Sequence, residues 1–73
     1  MDNIKIVNRV KLARIEADLT QQELADQIGI TRQTIGLIEA QKYNPTIQLC
    51  LLITQTTNKT LDELFYIKGD QTS

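Results

Sequence analysis

The sequence predicts an all-α fold, five short helices in an orthogonal bundle, with two terminal segments available for a small two-stranded antiparallel sheet. Three observations carry that expectation. Apolar residues recur at spacings of three and four through most of the chain, the period of a helix with one buried face. Threonines stand at four helix starts (Thr20, Thr31, Thr46 and Thr60), and two of them open capping boxes, Thr20-Gln-Gln-Glu23 and Thr60-Leu-Asp-Glu63. The segments between the periodic stretches are short and polar, as connections in a compact bundle are.

Taken in order, Ile4 and Ile6 alternate around Lys5, a short strand signal over Ile4–Val7. Asn8 can then cap a helix from Arg9 to about Ala17. Val10, Ala13 and Ala17 share one face of it, while Leu12 and Ile15 form a second apolar pair that a small monomeric core leaves unexplained. The first capping box places a helix from Gln21 to about Ile28. Gly29 and Ile30 make a turn, because glycine tolerates positive φ, and Thr31 caps a helix from Arg32 to about Ala40. Gln41 to Pro45 reads as a loop, since the residue before proline is pushed out of helical space. Thr46 caps a fourth helix, Ile47 to about Thr57, with Ile47, Cys50, Ile53 and Thr54 expected inward. The second capping box opens a fifth, Leu61 to Phe65. Tyr66 to Lys68 reads as extended and Gly69 to Ser73 as a frayed tail. The expected organisation is therefore a strand-like arm at 1–7, a helical domain at 8–65, and a strand-like segment with tail at 66–73. The segments Ile4–Val7 and Phe65–Lys68 are each too short to be stable alone, so they are expected to pair with each other or across a dimer.

Seventy-three residues make one domain at most, with a limited core. A hydrophobic content of 41% with 23% charged residues argues against disorder. Cys50 is the single cysteine and no histidine is present, so neither an intrachain disulfide nor a zinc site of the usual kind can form. Cys50 itself reads as a small buried apolar side chain rather than a reactive thiol. No metal, cofactor or small-molecule ligand is expected. No apolar run approaches membrane-spanning length and the N-terminus lacks a secretory pattern, so a cytoplasmic protein is expected. An enzyme is a poor reading: no nucleophile sits beside a base, no phosphate loop is present, and Asp62-Glu63 is explained by the favourable field at a helix start.

The stretch from Thr20 to Glu39 is the most informative. Leu24, Ala25 and Ile28 make one apolar face, and Ile35 and Ile38 repeat the pattern beyond the turn. Two helices crossing near a right angle need a small residue where they touch, which Ala25 supplies. Leu24, Ile28, Ile30, Ile35 and Ile38 then form a core wedge. Arg32, Gln33, Gly36 and Leu37 are left on an outward face free to enter a major groove. A plain αα-hairpin shares the five apolar positions. The joint pattern of capping box, small residue, glycine, capping threonine and polar outer face favours a helix-turn-helix that binds duplex DNA. The net charge of −1 and isoelectric point near 5.2 count against this, since most DNA-binding domains are basic. Affinity follows local phosphate contacts rather than total charge, so weak non-specific binding with strong salt sensitivity is expected.

These residues resemble the lambda repressor-like family, also called Cro-type or Xre-type transcriptional regulators. The resemblance runs from about Asn8 to Phe65. It is carried by Leu19-Thr-Gln-Gln-Glu-Leu-Ala25, Ile28-Gly-Ile-Thr-Arg-Gln-Thr-Ile35, Ile38-Glu39, Tyr43-Asn44-Pro45-Thr46 and Leu61-Asp-Glu-Leu-Phe65. With its terminal segments the chain is similar to the very small dimeric repressors of Gram-positive bacteria and their phages, the group typified by the cytolysin repressor. That resemblance implies a five-helix bundle extended by a small antiparallel sheet. It implies base reading by Arg32 and Gln33, which suit guanine and adenine edges respectively. It implies phosphate contacts from Gln21 and Thr34, with Thr31 beside them, and from Lys42, Tyr43 and Asn44. It also implies an ion pair between Arg14 and Glu39. Gly36 and Leu37 depart from the longer polar readers of many relatives. Leu37 suits a thymine methyl, and Gly36 either permits close approach to DNA or is merely tolerated. Ala40-Gln41 replaces a glycine often found after the recognition helix.

Dimers of such domains bind two half-sites about one helical turn apart. An inverted-repeat operator and a homodimer are therefore expected, with Leu12, Ile15, Leu49, Leu52, Tyr66 and Ile67 as interface candidates. Repression is the default outcome for a bare DNA-binding domain. The rival reading is an antitoxin-like or anti-regulator module that uses the same fold to bind protein.

Overall fold

The computed structural model describes residues 5–68. The order is β1 (Lys5–Asn8), α1 (Val10–Glu16), α2 (Gln21–Ile28), α3 (Arg32–Glu39), α4 (Ile47–Thr57), α5 (Leu61–Leu64) and β2 (Phe65–Lys68). The two strands pair antiparallel, with Lys5 opposite Lys68, Ile6 opposite Ile67, Val7 opposite Tyr66 and Asn8 opposite Phe65. The expected strand start, Ile4, lies outside the described residues, as does the expected tail from Gly69 to Ser73.

Threonine caps set four helix starts. The Thr20 hydroxyl accepts from the Glu23 N–H at 3.0 Å, and the Glu23 carboxylate accepts from the Thr20 N–H at 2.8 Å. Thr60 and Glu63 repeat this box at 3.3 and 2.8 Å. The Thr60 N–H, followed by its hydroxyl, holds the Glu63 carboxyl below its ordinary range. Thr31 and Thr46 accept from Thr34 and Leu49 N–H groups, each at 3.2 Å. Each such cap is worth about 1 kcal/mol.

Four helices also stop the same way, on a residue in left-handed backbone: Asp18 (φ 60°), Gly29 (φ 80°), Gln41 (φ 64°) and Asn58 (φ 58°). The residue after each donates five positions back: Leu19 to the Arg14 carbonyl, Ile30 to Ala25, Lys42 to Leu37 and Lys59 to Thr54, at 2.9 to 3.1 Å. These bonds satisfy carbonyls that a helix end otherwise leaves free. Asp and Asn tolerate this conformation through short polar side chains, which the longer glutamine at 41 lacks.

The core consists of Val10, Ala13, Leu24, Ala25, Ile28, Ile35, Ile38, Ile53 and Leu64, with Leu19, Ile30, Leu52 and Phe65 packed against it. It includes all of the wedge expected from the α2–α3 pattern, with Ile30 as its half-buried edge. Ala25 is fully buried. A larger side chain there would force the neighbouring helices apart, at about 1–3 kcal/mol.

Three local expectations are corrected. Asn8 is not the cap of a helix starting at Arg9. It ends β1, Arg9 takes the cap position without a side-chain bond, and the Asn8 carboxamide oxygen accepts from the Val10 N–H at 3.1 Å. Ile47 does not face inward. It is 67% exposed, and Thr57 takes an inward place instead, donating its hydroxyl to the Ile53 carbonyl at 2.7 Å. The helix ends expected at Ala17, Ala40 and Phe65 fall one residue earlier, at Glu16, Glu39 and Leu64. Cys50 is buried, burial pushes its thiol up from the ordinary range, and its Sγ donates to the Pro45 carbonyl at 3.8 Å.

Candidate nucleic-acid interface

The α2–α3 unit is built from its turn outward. Gly29 closes α2 in the left-handed region, where an L side chain would be strained. Thr31 restarts the chain as α3, Ile35 and Ile38 are wholly buried, and the opposite face of α3 is left to solvent. Arg32 and Gln33 are exposed on its first turn. Leu37 follows one turn later, 41% exposed, an apolar side chain that the core does not use. Gly36 lies on the same helix, and a Cβ placed there would meet nothing within 4 Å. The protein's own packing therefore does not require glycine at this position.

Thr31 and Thr34 form a hydroxyl pair at 2.9 Å. One hydroxyl proton bridges the two oxygens, so the other remains available to an external acceptor. Lys42, Tyr43 and Asn44 follow α3 as an exposed loop. Gln21 opens α2, and the capping box uses the Thr20 and Glu23 N–H groups, not those of Gln21 and Gln22. An exposed helix N-terminus of this kind favours an anion.

A buried polar knot fixes these pieces relative to one another. Arg14 of α1 donates from Nε to a Glu39 carboxylate oxygen at 2.7 Å and from Nη2 to the other at 3.3 Å. Its Nη1 donates to the Leu19 carbonyl at 2.8 Å, and the Gln21 Nε2 donates to Glu39 at 3.0 Å. The side chains of Arg14 and Glu39 are only 12% and 4% exposed. The end of α1, the start of α2 and the end of α3 thus meet on one carboxylate. Gln21, assigned to phosphate from the sequence, has one amide hydrogen committed to this knot and one left. Its tie to Glu39 is eighteen residues long and leaves no periodic trace in the sequence.

The interface candidates divide. Leu12 (54%), Ile15 (52%) and Ile67 (63%) are exposed. Tyr66 is 37% exposed beneath the Arg9 guanidinium, whose carbon lies 4.7 Å from the ring centroid. Leu49 is half-buried and Leu52 packs against the core, which leaves Leu52 little surface for a partner. Ile6 (48%), Ile47 (67%), Leu51 (49%) and Leu61 (37%) are exposed apolar residues that were not anticipated. Ile6, Ile47 and Leu61 line a mainly apolar groove together with Pro45, Cys50 and Phe65, to which Asn44 and Asp62 add polar side chains. Among the described residues a second ion pair, Lys59 Nζ to Glu16 at 3.0 Å, keeps Lys59 above its ordinary range.

A helix-turn-helix family model matches residues 10–64, from the start of α1 to the end of α5. An uncharacterized HTH-type transcriptional regulator of Archaeoglobus fulgidus is 37% identical over 63 residues, covering 86% of this chain and 89% of its own. A counterpart from Methanocaldococcus jannaschii is 34% identical over 64 residues, covering 88% and 97%. The regulator YgzD of Bacillus subtilis is 31% identical over 63 residues, covering 86% and 96%. Among solved structures, the transcriptional regulator VanUg superposes with a TM-score of 0.75 at 14% identity, covering 96% of this chain and 93% of its own. A Bacteroides fragilis chain gives 0.78 at 24% identity, covering 84% and 98%. At these identities the two structures speak for the fold, which is the five-helix bundle with a terminal antiparallel ribbon. On the family model and the related sequences together, the chain belongs to the Xre-type, lambda repressor-like family of helix-turn-helix transcriptional regulators.

Proposed function

We propose that the protein is a sequence-specific repressor that binds an inverted-repeat operator as a homodimer in the cytoplasm. The observation that carries this reading is the first turn of α3, where Arg32 and Gln33 stand exposed on a helix whose other face is fully buried. In a major groove, arginine pairs with guanine O6/N7 and glutamine with adenine N6/N7, each worth about 1–3 kcal/mol of discrimination. Gln21, Thr31, Thr34, Lys42, Tyr43 and Asn44 hold flanking phosphates. Leu37 meets a thymine methyl. The reading is tested by selecting bound duplexes from a random pool at stated salt. Two inverted half-sites about 10 bp apart are expected. A pool with no enriched motif would point instead to a protein-binding module.

Gly36 serves close approach in this reading. Gly36→Ala is expected to stabilise the free protein by about 1 kcal/mol, since it raises helix propensity without a clash. Its binding to the selected duplex should weaken at the same time. Thermal unfolding and a binding titration, run side by side, separate this from mere tolerance, in which stability rises and affinity holds.

The second copy docks on the apolar side of the ribbon and the groove beside it. Ile6 and Ile67 are cross-strand partners on one ribbon face, and Ile6 shares the groove with Ile47 and Leu61. Ile47→Glu and Ile67→Glu are expected to give folded monomers in sedimentation with weakened operator binding. A dimer unaffected by either places the interface elsewhere.

A further inference from the structure

We infer that Gln41 and Asn8 form a positioning clamp that fixes the end of the recognition helix, and the phosphate-gripping loop after it, to the terminal ribbon. The inference rests on the DNA-binding reading above and adds two residues to it.

Gln41 stands where a glycine is easiest to accommodate. Its φ is 64°, and the Gln41 and Lys42 N–H groups close α3 on the Ile38 and Leu37 carbonyls at 3.1 and 2.9 Å. A non-glycine residue in this conformation is strained, and the local bond that Gln41 makes, from Nε2 to the Glu39 carbonyl, is long at 3.4 Å. Its side chain supplies the compensation. The carboxamide oxygen accepts from the Asn8 N–H at 3.0 Å, and Nε2 donates to the Asn8 carbonyl at 3.0 Å. The Gln41 amide thus pairs with β1 as a neighbouring strand would, on the edge away from β2.

Asn8 completes the clamp from the other side. It is 9% exposed, and its Nδ2 donates to the Ile38 carbonyl of α3 at 2.9 Å while its Oδ1 holds the Val10 N–H. Three bonds therefore run from one strand residue to the last turn of α3 and to Gln41, two residues past its end, over thirty or more positions of sequence. Lys42, Tyr43 and Asn44 follow immediately. With the clamp closed, the ribbon and the loop move as one body. Any partner seated on the ribbon then also fixes where the loop meets the DNA backbone.

Gln41→Gly separates positioning from folding, because glycine keeps the left-handed turn while deleting the two Gln41 bonds of the clamp and leaving the Asn8–Ile38 bond in place. The probe is the duplex selected by the unmodified protein, titrated across salt. Gln41→Gly is expected to stay folded, to lose about ten-fold in affinity, and to flatten the salt dependence by about one phosphate contact. Its ranking of single-base operator variants should not change, because Arg32 and Gln33 sit at the other end of α3. A variant with unmodified affinity and salt slope overturns the inference, as does one whose base ranking collapses together with its fold. Gln41→Glu keeps the acceptor and loses the donor, and it serves as the second variant with the same expected losses. If the unmodified protein selects no duplex, the DNA reading fails. The clamp is then judged by amide exchange at Asn8 and backbone order at Lys42–Asn44. Faster exchange and lower order in Gln41→Gly support it, and no change in either overturns it.

Discussion

Arg32→Ala is expected to abolish operator-specific binding and leave the fold intact. Arg32 is exposed at the start of α3, and neither ion pair among the described residues includes it. Truncation therefore leaves no buried group without a partner. In the groove, a bidentate arginine contact is worth about 1–3 kcal/mol, and a homodimer places it in both half-sites. The combined loss is about 2–6 kcal/mol, enough to bring specific binding down toward the non-specific level. The check is a competition titration against unrelated duplex, with circular dichroism to establish folding. Normal operator binding by Arg32→Ala would remove α3 from its assigned role. Lys42→Ala provides the contrast. A phosphate contact should cost affinity evenly across sequences and reduce the salt slope by about one.

Glu39→Ala is expected to destabilise the fold by about 3–5 kcal/mol. The Glu39 carboxylate accepts two bonds from Arg14 and one from Gln21, and it is almost completely enclosed. Its removal leaves a guanidinium that is only 12% exposed without its counter-charge. Small domains have about 5–15 kcal/mol of stability in all, so the variant should unfold well below the parent temperature. The ion pair itself need not be strongly stabilising, because desolvation opposes its Coulomb gain. Replacing Arg14 and Glu39 together by methionine should therefore recover much of the loss. A double-mutant cycle read by urea unfolding measures the coupling. Additive single effects would show that the knot orders α1, α2 and α3 without a direct energetic link between its charges.

The fold was legible in the sequence wherever the signal was local. Thr20 and Thr60 announce their capping boxes because each bond partner lies three residues away. Gly29 announces the turn because left-handed backbone excludes most other residues. Arg32 and Gln33 could be placed outward from the phase of Ile35 and Ile38 alone. The α4 face was less legible. Its residues are apolar nearly all round, so periodicity could not say that Ile47 would be exposed while Thr57 turned inward. A threonine whose hydroxyl bonds the carbonyl four residues back on its own helix is buried at no polar cost, and composition does not reveal that.

The sequence by itself determined the spans of α2 and α4, the capped turn between α2 and α3, and the polar start of α3. Each follows from interactions within a few residues. Only the tertiary structure decided that Gln21 shares Glu39 with Arg14, and that Asn8 and Gln41 tie the ribbon to the end of α3. Those bonds join residues 18 to 33 positions apart, where neither propensity nor periodicity carries information and only the packed bundle brings the partners within reach.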